Sequence, residues 1–297
     1  MAPQITHSAM EFANEFPEEQ KDWHIKSNSI ICLAVPNERH LWELSEKLTK
    51  KGLKHSKFYE PDCGEELTAI AVVPTDNTKK ALSNYPLVGR KPTPEGAQEL
   101  LNKKFDIIDG MRACFQHGQQ NMLDHGNAVK DHLFDLLNHL RHDAPLKNEW
   151  RLPEWLYQYK QQLLENIHDD FTLWKYTVWH DCSKPFVKKI NVDGTIHYPN
   201  HSIESAKIWR SISDNLIVEK LIYHDMVMHT YNVESIIKFC KENEKNTTCT
   251  LLLAALSELH SNAIMFGGIN SDSFKIKYKR LDRLGKNVCQ TYFMDFA

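Results

Sequence analysis

The 297-residue chain has no glycine-rich loop of the kind that cradles phosphate. Its eleven glycines are scattered, and Gly267-Gly268 follows a helical stretch instead of preceding one. That argues against an NTPase or a dinucleotide enzyme. No apolar run reaches 18 residues, so no membrane span is expected. Met1 to Lys21 is polar and acidic with no apolar core, unlike a secretory signal. There is no Cys-x-x-Cys pair: Cys32, Cys63, Cys114, Cys182, Cys240, Cys249 and Cys289 are odd in number and dispersed. This fits reduced thiols in a cytoplasm, not a disulfide framework or a zinc ribbon. Charge of one sign is lacking too. A net charge of −3 makes no general case for nucleic-acid or membrane binding. No internal repeat or low-complexity segment is visible.

What the chain does have is histidine, sixteen of them, most between His117 and His260. Four stand directly before an aspartate: His142-Asp143, His168-Asp169, His180-Asp181 and His224-Asp225. A His-Asp dipeptide alone says little, and the first two lie in polar surroundings. His180-Asp181 differs. It closes the apolar and aromatic run Leu173 to Trp179 and is followed by Lys184-Pro185. Imidazole and carboxylate side by side can both reach one divalent cation, and an ammonium nearby can hold an anion against it. Those are the parts of metal-assisted phosphoryl chemistry.

Texture changes near residue 90. Residues 1–24 read as an N-terminal extension and 25–90 as a small α/β domain. In it, Ser29 to Val35 is an apolar run like a buried strand. Glu38 to Lys51 is an amphipathic helix with Gly52 at the position after its end. Lys54 to Glu60 and Leu67 to Val73 are further strands, and Thr75 to Ser83 is a short helix capped by Thr75 or Asp76. Residues 91–97, within the Pro- and Gly-rich Gly89 to Ala97, read as a linker.

From residue 98 to 297 the pattern is helical. Helices are expected from Asn121 or Asp124 to His142, from Pro153 to Trp179, and over Ser202 to Ile212. Others are expected over Asp214 to His229, Val233 to Glu242 and Thr248 to Phe266. Lys188 to Ile196, with Asp193-Gly194 at its centre, is a hairpin signal. Ser273 to Arg280 alternates Phe274, Ile276 and Tyr278 with lysines and predicts a strand with a basic face. The fold class is α+β, with a small α/β domain in front of a mostly helical one.

Several candidate ligands lie at helix ends or on apolar helices: His132, His180-Asp181, His201 and His224. In this order they resemble the HD-domain superfamily of metal-dependent phosphohydrolases over roughly Gln120 to Gly268. The resemblance implies that His132 is the first metal ligand and His180 and Asp181 the central pair. Lys184 would be the lysine that meets phosphate. His201 and His224 would be the extra histidines of members that bind two metals. The late-helix aspartate is replaced in Ser261-Asn262-Ala263, where Asn262 is neutral and a weaker ligand. Glu258, one turn earlier, and Asp225 are substitutes. His125 either orients substrate or only opens its helix.

Ile25 to Val88 resembles the later half of the type 2 peptidyl-tRNA hydrolase fold. Phe58-Tyr59-Glu60-Pro61-Asp62-Cys63-Gly64 and Leu67 to Pro74 carry the likeness. The family's opening strand and following helix have no counterpart before Ile25 in this reading, so peptidyl-tRNA hydrolysis is not expected. Asp62 and Thr68 are candidates for contacting an RNA end or a nucleotide, beside a purely structural role for the domain.

The expected activity is hydrolysis of a phosphomonoester or phosphodiester of a nucleotide or nucleic acid, with Asp181 and Lys184 as catalytic residues. One or two divalent ions of the Mn, Mg, Fe, Co or Ni class would be the cofactor. The expected partner is a nucleotide or short nucleic acid, with no membrane, and a homodimer is left open. The rival is a non-catalytic nucleotide- or RNA-binding module built on a degenerate pocket. A third reading is an RNA-end processing enzyme whose front domain selects the substrate.

Overall fold

The computed structural model describes residues 2–27, 29–85, 87–88 and 97–294. The chain divides into two compact units, Met1–Phe105 and Asp106–Ala297. The expected linker lies outside the described residues, apart from Ala97, which opens a helix.

Unit 1 contains α1 (Ala2–Glu15), α2 (Pro17–Lys26), α3 (Glu38–Lys50), β1 (His55–Glu60), β2 (Glu66–Val72) and α4 (Asp76–Leu82). The β1–β2 pair is antiparallel, from His55 opposite Val72 to Glu60 opposite Glu66, with a bulge at Phe58/Tyr59. Alternation along β1 sends successive side chains to opposite faces. Ser56 donates to the Ser8 carbonyl, and Phe58 packs on His7, so α1 covers one face. His55 bonds Ser45 and Tyr59 meets Trp42, so α3 covers the other. Residues 1–24 are therefore part of the unit, not an extension. The expected strand Ser29 to Val35 does not form. Only Leu33 bridges, to Leu87, and Ile30 and Ile31 are exposed. Hydrophobicity marks the run, but among the described residues no strand pairs along it, and beside the Leu33 bridge only the Cys32 carbonyl is taken up by backbone, from the Val88 N–H. α4 begins as expected, with the Thr75 hydroxyl accepting from the Thr78 N–H.

α5 (Ala97–Ala113) carries the chain into unit 2. There follow β3 (Phe115–His117), β4 (Gln120–Asn121), α6 (Met122–His142), α7 (Glu154–Gln158), α8 (Lys160–Glu165), α9 (Asp170–Trp179) and α10 (Lys184–Val187). Then come β5 (Lys189–Ile190), β6 (Ile196–His197), α11 (His201–Ile212), α12 (Leu216–Tyr223), α13 (Val227–Thr230), α14 (Val233–Glu242), α15 (Lys245–Ser261) and α16 (Asp272–Phe293). α6 packs on both α9 and α15. Its buried stripe Leu133, Leu136, Leu137 and Leu140 joins Val178, Leu252 and Ala255 in one core.

Two expected helices are broken. Pro153 to Trp179 becomes three, because Tyr159 and Asn166 leave helical geometry and Asp169 caps a new start by accepting from the Thr172 N–H. Asp214 to His229 becomes α12 and α13, with a turn at His224 to Met226. The basic strand over Ser273 to Arg280 is instead the first part of α16. Ser271 caps it, and Phe274, Tyr278, Leu281 and Leu284 are buried at helical spacing, while Ile276 is exposed. The Phe-Ile-Tyr alternation coincided with one helical face and one solvent residue. Among the described residues no helix is long and apolar enough to cross a membrane.

Candidate metal centre

α6 starts sharply because the Asn121 side chain accepts from the Asp124 N–H. His125 follows in the first turn, fully buried. Gly126 is next, and a Cβ there would lie 2.5 Å from the Val178 carbonyl oxygen. Only a residue without a side chain lets α6 approach α9 this closely. The approach sets the His125 ring 5.2 Å from that of His180, at the end of α9. His180 Nδ1 bonds the Thr177 carbonyl at 2.8 Å. That fixes Nδ1 as donor and makes Nε2 the nitrogen that faces the carboxylates.

Asp181 lies at the middle. Its Oδ2 is 2.5 Å from Lys184 Nζ, 3.2 Å from His180 Nε2 and 3.4 Å from His125 Nε2. Its Oδ1 is 3.6 Å from His201 Nε2. Ser183 donates to the His201 carbonyl, and its N–H donates to Ser205, which ties the end of α9 to α11. Pro185 sits in the first turn of α10, where its missing N–H costs nothing.

α15 brings Glu258, with Oε1 3.7 Å from His125 Nε2 and Oε2 2.9 Å from His229 Nε2. Asp225, in the turn between α12 and α13, is buried and accepts a 2.6 Å hydrogen bond from Tyr176. A cavity of about 10 Å³ lies between Tyr176, His180, Asp225 and Glu258. That is room for one water-sized occupant.

The charges are strongly coupled. Burial pushes Asp181 toward its neutral form, but Lys184, His180 and His125 outweigh it and hold the carboxyl well below the usual range. Glu258 is likewise held low, by His229 above all, against its burial. Burial opposes a charge on His180, yet Asp181, Asp225 and Glu258 raise it to about 10, so without a metal the ring is cationic and a dication would have to displace the Nε2 proton. Asp225 is raised, chiefly by burial.

His125, His180 and Glu258 offer ligand atoms that all lie within 4.8 Å of one another. Both ring nitrogens of His125, His180 Nε2, His229 Nε2 and Asp181 Oδ1 are buried without a hydrogen bond. Buried polar atoms ordinarily find partners. Orphaned imidazole nitrogens and a carboxylate oxygen converging on one point suit a dication, which needs N and O lone pairs and no protons. The residues fit a metal.

Of the predicted residues, His180, Asp181, Lys184, His201 and His125 come together. His132 does not. Its Nδ1 bonds the Ala128 carbonyl and its ring packs on Trp150. His125, two turns earlier on the same face of α6, holds the place expected of His132. His224 also lies elsewhere, packed on Phe239, and the turn delivers Asp225 and His229 instead. Asn262 accepts from Gln116 at 3.4 Å, and Glu258 supplies the late-helix carboxylate. Glu258 had a signal: it is the one charged residue in Thr247 to Leu259. His229 and Tyr176 had none beyond their apolar neighbours.

Residues 1–82 match the peptidyl-tRNA hydrolase PTH2 family. The match begins at the first residue, so α1 and α2 fall inside it, and the likeness does not start at Ile25. It includes Asp62, which is exposed, and Thr68, whose hydroxyl is buried on β2 without a partner. It includes none of the residues of the candidate metal centre. No curated protein and no solved structure matches the chain.

Proposed function

We propose that unit 2 is a metal-dependent phosphohydrolase that cleaves a phosphomonoester or phosphodiester of a nucleotide or nucleic acid. The observation that carries this reading is the convergence of orphaned His125, His180 and Asp181 atoms with Glu258 beside a lysine. His125, His180, Asp181 and Glu258 would hold one divalent ion of the Mn, Mg, Fe, Co or Ni class. His201 and His229, at the partly exposed edge, would contribute to a second. When bound, such an ion supplies Lewis acidity at phosphoryl oxygen and a lowered pKa for water.

The side chains do the rest. Asp181 orients Lys184 and the two imidazoles by facing all three. Lys184, buried but for its edge and held cationic by Asp181 against the effect of burial, neutralises negative charge on phosphate oxygens. Tyr176 fixes the Asp225 carboxyl through its hydroxyl. The family matched by residues 1–82 is named for a tRNA substrate, which supports nucleic acid over a free metabolite.

The second reading, a non-catalytic nucleotide- or RNA-binding module, draws on Asn262, a neutral side chain where the resembled superfamily has an aspartate. Release of phosphate and nucleoside from nucleotides, cyclic dinucleotides and short RNAs, with added manganese, decides between them. Turnover that disappears in His180→Ala/Asp181→Ala establishes the enzyme. Folded, metal-loaded protein that turns over nothing establishes the binding module.

A further inference from the structure

Ten consecutive residues, Lys188 to His197, are exposed along their whole length. They make the β5–β6 ribbon and its turn. The ribbon is joined to the metal centre at both ends: Lys184 lies four residues before Lys188, and His201 four residues after His197. Lys189 pairs with His197 and Ile190 with Ile196. Adjacent pairs point to opposite faces, so Lys189 and His197 share one face and Ile190 and Ile196 the other, where the alternation also puts Lys188.

The turn is pinned. The Asn191 N–H donates to the Thr195 carbonyl and the Gly194 N–H to the Asn191 carbonyl, each at 2.9 Å. Gly194 sits at φ 81, a left-handed position suited to glycine. Asp193 is the one acidic residue between Cys182 and Ile203. Its carboxylate accepts from the Thr195 N–H and hydroxyl, so it is engaged within the turn. Ile190 is 67% exposed, Ile196 48%, and Val192 at the tip fully so. A pinned, basic ribbon that holds three aliphatic side chains in water has the composition of a contact surface.

We propose that this ribbon is a nucleic-acid grip: it holds the strand that leaves the metal centre, so the substrate is a polynucleotide. The inference rests on the phosphohydrolase reading. Lysines meet the repeating phosphates, and the aliphatic side chains lie against the sugars and bases between them. A strand whose scissile phosphate sits at Lys184 passes along the segment tethered on either side of it.

The test is anisotropy of a labelled short single-stranded RNA, and of DNA of the same sequence, with the full chain across a salt series. Lys188→Ala/Lys189→Ala is expected to weaken binding roughly tenfold and to make the salt slope shallower by about 1.4, two contacts of about 0.7 each. Ile190→Ser/Ile196→Ser should weaken binding with the slope unchanged. Lys238→Ala/Lys241→Ala on α14 removes the same charge elsewhere and should change neither. RNA affinity and slope that are the same in the ribbon variants and the unaltered chain overturn the proposal. So does a ribbon whose loss affects only binding to anionic vesicles. Ribbon-dependent RNA binding without hydrolysis of any substrate sinks the phosphohydrolase reading and keeps the grip. Hydrolysis with ribbon-independent RNA binding sinks the grip alone.

Discussion

His125 and His132 stand seven residues apart on α6, two turns, and so share a face of the helix. Periodicity gives the face but not the depth, which is why His132 is the residue the sequence points to and His125 the one beside His180 and Glu258 at the proposed metal centre. His125→Ala is expected to lower manganese affinity, read by titration calorimetry, by more than the roughly 10- to 100-fold lost with an outer partner. His132→Ala should leave affinity near that of the unaltered chain. Equal losses would mean the centre is not where its donors converge. His180-Asp181 and Lys184 were legible because they are nearly contiguous, and Glu258 as a substitute for the missing late-helix aspartate, whereas the approach of His229 depends on tertiary packing. Asp135 makes a different prediction. It is buried on α6 and accepts from the N–H groups of Lys147 and Asn148, the Asn148 amide and the Trp150 indole. Burial raises its pKa, but those bonds outweigh it and hold the carboxyl below its usual range. The ionised form thus favours folding. Its contribution is complete above the unfolded value of about 3.9 and is lost as pH falls through the lower folded value. Asp135→Asn should cost about 1–3 kcal/mol near neutral pH and flatten the acid limb of Tm against pH. Parallel limbs in the two proteins would refute this.

Elements were read well where one local rule decided them. α6, α11 and α14 lie close to their expected limits, and the β5–β6 hairpin sits at its Asp193-Gly194 turn. They were misread where pairing or burial decided. Ser29 to Val35 has no strand to join, and α16 hides a helical stripe beneath an apparent alternation. The contact of α6 with α9 is another such case, invisible in the sequence except as a glycine after a histidine. Gly126→Ala separates two opposing effects. Alanine in a helix interior is worth about 1 kcal/mol over glycine, but the new methyl would meet the Val178 carbonyl at 2.5 Å. Overpacking against backbone costs about 1–3 kcal/mol, so the net effect is expected to be destabilising, with weaker manganese binding as His125 and His180 part. A variant with raised Tm and intact metal affinity would show that the two helices have room to spare.

At the scale of the whole molecule there are two compact units, each with its own buried cluster. The α+β class was legible from the change of texture near residue 90. The inclusion of residues 1–24 in unit 1 was not, because a polar helix that covers one face of a hairpin looks like a solvated tail. Ligand binding stabilises only the part that binds, by about 2.7 kcal/mol at a hundredfold excess over Kd. Calorimetry is therefore expected to resolve two transitions, of which manganese raises only the larger one, belonging to unit 2. A shift of both by the same amount would show that the units unfold together. The cysteines give unit 2 a further property. Cys114, Cys182, Cys240, Cys249 and Cys289 are all buried, and burial pushes the Cys182 and Cys289 thiols up to about 12. An alkylating reagent must reach the sulfur, and burial withholds all five from it while the unit is folded. The mass a maleimide adds over time beyond that at Cys32 and Cys63 therefore counts how often unit 2 opens. The protein carries its own clock for that event, in five buried thiols.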